Sequence, residues 1–171
     1  MLSPTWVFGV PAALAMGIAG FILLFALGHI LAPALLPPTF GTSWSIVAGF
    51  LFTSGHLAAI LALATHLHGY RQGYRPLRPV LRRHSARLTL ETTLAAGALL
   101  VVLGGAGLLA IGVYWAQTSF GALGNILPLV VATVLATVGV QTMLGSFMLA
   151  IMAGHDANFA TDFAIARMPP P

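Results

Sequence analysis

The sequence predicts an all-α, polytopic membrane protein, a bundle of four transmembrane helices with both termini in the cytoplasm. Hydrophobic residues make up 58% of the 171 and charged residues only 6%, whereas about one quarter of the residues in an ordinary soluble domain are charged. No Asp, Glu, Lys or Arg occurs in residues 1–70 or 92–155. Between these regions, residues 71–87 hold six of the seven basic side chains, all arginines. Because charges are costly inside a bilayer and cytoplasmic loops collect arginine, this segment is predicted to face the cytoplasm.

Four apolar stretches are long enough to cross the hydrocarbon layer, which takes roughly 20 helical residues. They cover residues 7–31, 44–67, 90–115 and 126–152. We therefore expect one transmembrane domain over residues 1–171, with a cytoplasmic loop at 69–88 and a cytoplasmic tail at 153–171. Residues 1–6 carry no basic side chain. A signal peptide needs one, so we expect the first span to be permanent.

Helix-breaking residues separate the spans. Pro33, Pro37, Pro38 and Gly41 follow the first span, and residues 117–125 follow the third. Aromatic side chains prefer the membrane interface, and Trp44, Tyr114 and Trp115 lie next to these two connections. With the arginine loop inside, both connections are predicted to lie outside. Pro11 and Pro128 are close to span ends, where proline is best tolerated, and are interpreted as helix starts.

Composition also limits the chemistry. Cysteine is absent, so the chain has no disulfide framework, thiolate metal site or thiol nucleophile. The net charge of +4 suits anionic lipid headgroups better than nucleic acid, because the basic side chains flank apolar spans. No paired carboxylates, glycine-rich phosphate loop or Ser/His/Asp set is apparent. We therefore predict no catalytic residues, no cofactor, no metal and no nucleic-acid partner.

Histidines are the main candidates for chemistry within the spans. His56 lies about 18 Å into the second span, whereas His29 is near the outer end of the first. This difference in depth argues against a haem held between them, although a haem-binding cytochrome stays an alternative. Gln141 lies deep in the fourth span, and a hydrogen bond to His56 across the helices is one hypothesis. Glu91 opens the third span, where it is predicted to anchor the helix N-terminus and pair with Arg87.

The order of several short segments resembles the C-terminal membrane region of family 2 glycosyltransferases. The resemblance is to the branch that contains dolichol-phosphate mannosyltransferases and undecaprenyl-phosphate sugar transferases. Its segments cover nearly the whole chain: Ser3–Phe8 before the first span, the tyrosine- and arginine-bearing loop Gly69–Arg87, Leu88–Glu91 entering the third span, Trp115 with Phe120–Leu123 in the outer loop, and Gly139–Thr142 with Ser146–Leu149 in the last span.

This resemblance implies a membrane region that follows a cytoplasmic α/β domain. In the family, that domain binds nucleotide sugar and divalent metal and passes the sugar to a polyprenyl phosphate. The 171 residues have no room for it, so none of the family's catalytic residues has a position here. Two departures stand out: Thr92 and Thr93 replace the usual Arg-Gly after Glu91, and His56 stands where an aromatic residue is usual. Because of the first departure, the family pattern predicts less reliably how the third helix begins.

Together these observations predict a non-catalytic membrane module of a polyprenyl-phosphate glycosyltransferase system. Its partners would be membrane lipids, polyprenyl phosphate and a separately encoded or lost catalytic domain. We expect it to be a multi-pass protein of the cell membrane, namely the bacterial inner membrane. The candidate residues for the lipid phosphate are Arg71, Arg75, Arg78, Arg82, Arg83 and Arg87. Setting topology alone is an equally simple role for them. A small transporter or flippase of lipids or lipid-linked sugars is a further alternative, although it needs a polar path.

Overall fold

The computed structural model describes residues 4–35, 40–72 and 89–152, and these form four long helices. The helices are α1 (Pro4–Leu31), α2 (Thr42–Arg71), α3 (Leu90–Gln117) and α4 (Leu127–Met152). Each is long and apolar enough to cross a membrane. At about 1.5 Å per residue, even the shortest, with 26 residues, exceeds the roughly 30 Å hydrocarbon layer. The predicted four-helix organisation is confirmed, with α2 extending four residues beyond the predicted end of its span.

The helices pack as two hairpins. Helix α1 packs against α2, and α3 packs against α4, while the hairpins meet mainly through α2 and α4. Contacts that pair Gly49 with Val130 and His56 with Gln141 show that α2 and α4 run parallel. Both described ends of the chain therefore lie where α2 ends and α3 begins. That end carries the arginine segment, and its assignment to the cytoplasm stays a prediction.

Small residues let the two helices of the second hairpin approach closely. A Cβ built on Gly97 would lie 2.7 Å from Met143 Cγ, and one on Gly139 would lie 2.7 Å from the Gly97 carbonyl oxygen. A Cβ on Gly104 would collide with the backbone nitrogen of Ala136. Lipid tails are as apolar as the side chains, so close packing of this kind holds membrane helices together.

The other two interfaces also depend on glycine. A Cβ on Gly55 of α2 would lie 2.8 Å from Met16 Cγ of α1. Between the hairpins, a Cβ on Gly145 of α4 would lie 2.9 Å from Ile60 Cγ2 of α2. The three main helix pairs thus contain positions at which a larger residue would require neighbouring atoms to shift.

Helix α3 begins with a reciprocal cap. The Thr89 hydroxyl accepts from the Thr92 backbone N–H at 3.2 Å, and the Thr92 hydroxyl accepts from the Thr89 backbone N–H at 3.2 Å. This arrangement satisfies backbone donors that a helix start leaves unpaired. Thr92, which departs from the family pattern, therefore has a local role. Glu91 lies in the first turn and is exposed, which suits the positive end of the helix dipole.

The two prolines behave differently from one another. Pro128 is the second residue of α4, in agreement with the sequence-based interpretation. Pro11 lies inside α1, which begins at Pro4, so its interpretation as a helix start was wrong. Pro4 already fills the favourable first position of the helix.

Aromatic side chains collect at the end of the hairpins opposite the arginine segment. Phe25 and Trp44 each meet Phe40 edge-on, with ring centroids 5.7 Å and 6.2 Å apart. In the second hairpin, Trp115 meets Phe120 at 5.4 Å. Trp and Tyr favour the membrane interface, so we expect Trp44 and Trp115 to lie close to it.

Candidate functional site

Most of the arginines predicted to bind lipid phosphate lie outside the described residues. Arg71 is the last residue of α2, and its side chain is also outside the described part. The group that falls in residues 73–88 consists of Arg75, Arg78, Arg82, Arg83 and Arg87. The structure therefore fixes where this segment begins and ends, after α2 and before α3. The predicted pairing of Glu91 with Arg87 is likewise outside the described residues.

The predicted hydrogen bond between His56 and Gln141 is present. His56 Nδ1 lies 3.0 Å from Gln141 Oε1, across the interface between α2 and α4. His56 is fifteen residues into a helix of 30 residues, so the pair stands near the middle of the span. Both side chains are half-buried. A polar pair at this depth needs internal partners because the hydrocarbon offers none.

Two further hydroxyls that sequence reasoning missed belong to the same cluster. Thr142 Oγ1 lies 3.4 Å from His56 Nε2 and also donates to the Val138 carbonyl oxygen at 2.7 Å. One turn later, the Ser146 hydroxyl donates to the Thr142 carbonyl oxygen at 2.7 Å, and Ser146 is 2% exposed. We call His56, Gln141, Thr142 and Ser146 the midspan cluster. The four-residue spacing of Thr142 and Ser146 was a signal that could have placed them on one face.

An elongated groove between α2 and α4 begins about one turn from the midspan cluster. It has a volume of about 370 Å³ and runs from Ile46 and Ile126 to Thr53 and Thr137. The Thr53 hydroxyl donates to the Gly49 carbonyl oxygen of its own helix at 3.1 Å. The walls are otherwise largely apolar, and the groove lies on the side of the cluster that points away from the arginine segment.

A second groove of about 410 Å³ is formed by α1, α3 and α4. Leu27 of α1, Leu103 of α3 and Val131 of α4 are among its lining residues. Its walls contain no polar side chain. It therefore offers apolar contact alone.

The remaining histidines that fall in the described residues stand apart from this cluster. His29 is two residues from the end of α1, and His66 and His68 are within six residues of the end of α2. His66 is 5% exposed. Across residues 4–35, 40–72 and 89–152, no three His, Asp or Glu side chains come together in a way that could hold a metal ion.

Comparison with known proteins identifies the family. The family model for the C-terminal transmembrane region of family 2 glycosyltransferases matches residues 63–153, which is more than half of the 171 residues. No curated protein and no solved structure gave a significant match. The matched range includes the end of α2, the arginine segment and both helices of the second hairpin. The chain belongs to the family of C-terminal transmembrane regions of family 2 glycosyltransferases.

Proposed function

We propose that this chain is the membrane-anchoring, non-catalytic module of a glycosyltransferase system that acts on polyprenyl phosphate at the cytoplasmic membrane face. The observation that carries the proposal is the position of the arginine segment within the family match. Residues 71–87 join the end of α2 to the start of α3, so the six arginines of this segment are tethered at one end of the four helices. The membrane-anchoring role itself follows from the family.

Guanidinium chemistry supports the choice of ligand. Arginine grips phosphate oxygens through two parallel hydrogen bonds and is less strongly hydrated than lysine. A cluster of basic side chains at a helix end also attracts anionic lipids in general, by about 1 kcal/mol for each charge near the surface. A site specific for polyprenyl phosphate would need the directed, bidentate contacts in addition to this general attraction.

The sugar-transfer chemistry would come from a nucleotide-sugar-binding domain that acts together with this module. In this proposal the four helices hold the lipid acceptor and the catalytic domain at the same membrane face. The partner would dock near the arginine segment, because that is where the phosphate of the lipid would be presented. Anchoring and presentation of the acceptor are thus one function of the same end of the structure.

The experiment compares two double variants in lipid nanodiscs. The glutamine variant, Arg82→Gln with Arg83→Gln, removes the positive charges and the planar set of hydrogen-bond donors of each guanidinium group. The lysine variant, Arg82→Lys with Arg83→Lys, removes the planar donors but keeps the charges. Binding of undecaprenyl phosphate and of phosphatidylglycerol is measured by native mass spectrometry. We expect both variants to lose undecaprenyl phosphate binding by about tenfold, while the lysine variant keeps phosphatidylglycerol binding. If the lysine variant binds both lipids like the unaltered protein, the arginines act as general charges and the specific site is refuted.

A further inference from the structure

The groove between α2 and α4 and the second groove lie in the same half of the molecule but have different linings. Both extend along α4 from its start, at the end opposite the arginine segment. Their volumes are similar, about 370 Å³ and about 410 Å³. The lining of the second groove has no polar side chain, whereas the first is lined by three threonines, Thr53, Thr133 and Thr137. The second groove therefore suits hydrocarbon alone, and the first also offers hydrogen-bonding groups.

The threonines continue a line of polar side chains that leads to the midspan cluster. Thr133 and Thr137 precede Gln141 at intervals of four residues, so the three side chains follow one face of α4. Counted from the first residue of α4, they lie at depths of about 9, 15 and 21 Å. On the opposite wall, Thr53 is three residues before His56. Polar groups are thus present at successive turns down to the middle of the span.

Two of the three threonine hydroxyls have hydrogen-bonding capacity to spare. A threonine in a membrane helix can donate to a carbonyl oxygen of its own helix, as Thr53 does to Gly49 at 3.1 Å. Among the residues that the structure describes, the hydroxyls of Thr133 and Thr137 have no such partner. A hydroxyl left unpaired in hydrocarbon costs free energy. The groove has room for a polar partner, because one water takes up roughly 30 Å³ in the liquid.

Beyond the midspan cluster, toward the arginine segment, the interface between α2 and α4 is closed. A core of buried apolar side chains lies there, and it consists of Ala64, Leu67, Leu149 and Ala150. The two helices also approach closely on this side, since a Cβ on Gly145 would lie 2.9 Å from Ile60 Cγ2. The polar line therefore meets a dry interface at the middle of the molecule.

We propose that the groove between α2 and α4 is a water-filled crevice that leads from the membrane face opposite the arginine segment to the midspan cluster. Water meets the hydroxyls of Thr133 and Thr137 and reaches Gln141 from that side. A lipid chain has no group that could satisfy these hydroxyls. The crevice supplies one half of the polar path that a transporter would need, while the closed half keeps water from crossing the bilayer. This inference does not depend on the proposed role in glycosyl transfer.

Cysteine labelling tests the proposal, because the chain has no cysteine of its own. Thr133→Cys and Thr137→Cys place a thiol in the groove, and Leu135→Cys places one in the second groove at a depth between them. Each variant is reconstituted in lipid vesicles and treated from outside with a charged methanethiosulfonate. This reagent reacts with the thiolate, which hydrocarbon disfavours. We expect both threonine positions to react at least about tenfold faster than Leu135→Cys.

The side from which water enters is measured in the same vesicles. Gly124→Cys, in the connection before α4, reports the fraction of molecules that have this end outside. Labelling at the two threonine positions should stop at the same fraction. Labelling of all molecules would show that water enters from both ends and would refute the one-sided crevice. Equally slow labelling of Thr133→Cys, Thr137→Cys and Leu135→Cys would show that hydrocarbon fills both grooves.

A measurement on the unaltered protein makes the test independent of the folding of any variant. Solid-state NMR is recorded on protein with isotope-labelled threonine and leucine in lipid vesicles. Magnetisation transferred from water should reach Thr133 and Thr137 sooner than Leu135. If the signals of all three residues grow equally slowly, water does not fill the groove and the inference is wrong.

Discussion

The carbonyl oxygen of Gly97 in α3 occupies the space in which a side chain on Gly139 of α4 would begin. A Cβ at Gly139 would lie 2.7 Å from that oxygen, closer than the two atoms can approach without movement of a backbone. The α3–α4 hairpin therefore depends on the absence of side chains at this crossing.

The neighbouring pair Gly104 and Gly105 provides a direct test of this dependence. A Cβ at Gly104 collides with Ala136, whereas a Cβ at Gly105 meets nothing within 4 Å. Overpacking of a well-packed interface costs about 1–3 kcal/mol, so Gly104→Leu should lower the free energy of unfolding in mild detergent by at least that amount. Gly105→Leu, which adds the same side chain one residue away, should change it little. Equal losses in both variants would mean that the close crossing is not what stabilises the hairpin.

The hydrogen bond between His56 and Gln141 should be measurable as a coupling energy. Gln141→Leu, His56→Leu and the double variant form a cycle, and interhelical hydrogen bonds in membranes average about 0.6 kcal/mol with a maximum near 1.7. We expect a coupling in this range from unfolding in detergent. Additive losses would show that the two side chains do not interact. Thr133→Val is the matched control. Thr133 lies on α4, as Gln141 does, but in the wall of the groove between α2 and α4, and this substitution also removes a polar group.

The turn after α3 contains two residues in the left-handed backbone region. Ser119 has φ 55° and Phe120 has φ 58°, and such a conformation costs an L-residue about 1–2 kcal/mol. Ser119→Gly should therefore raise the free energy of unfolding, by up to about 1 kcal/mol after the added backbone freedom of glycine is included.

Thr118 provides the contrasting substitution in the same turn. Its φ is −90° and its hydroxyl donates to the Trp115 carbonyl oxygen at 3.0 Å. Thr118→Gly relieves no strain and loses this bond, so it should lower stability. If both glycine substitutions lower stability alike, the positive φ of Ser119 carries no strain worth relieving.

The side of the membrane on which the arginine segment lies can be tested because the chain has no cysteine. Arg78→Cys and Gly124→Cys each introduce a single thiol, and Gly124 has open space around it. We expect a membrane-impermeant maleimide to label Gly124→Cys in intact cells and Arg78→Cys only after the membrane is permeabilised. The reverse pattern would place the arginines outside and exclude a cytoplasmic lipid-phosphate site.

The number and limits of the helices followed from the sequence because lipid imposes a length and excludes charge. From the proline-rich and polar connections, most helix ends could then be predicted to within a few residues of their positions in the structure. The pairing of His56 with Gln141 could be proposed because these were the large polar side chains deep in the spans. The depth of a side chain within a span follows from its position along the helix, so two polar side chains at equal depth could be matched as partners.

Which face of each helix packs against a neighbouring helix could not be predicted in the same way. Gly104 and Gly105 are adjacent in the chain, yet one packs against α4 and the other meets open space. In a soluble helix a change from apolar to polar residues would separate these faces. In lipid both faces are apolar, so that signal is lost. Thr142 was missed for the same reason, since its role depends on α4 turning that face toward α2.

The division into hairpins suggests how the molecule could be assembled. Each hairpin closes through its own glycine crossings, while the seam between them also contains a polar cluster and an open groove. Membrane helices fold in stages, with formation of spans before their association. If the chain is divided into two polypeptides within residues 73–88, each should therefore insert into the membrane. When they are produced together, they should associate into the complete four-helix unit. The protein is thus divisible at its most basic segment.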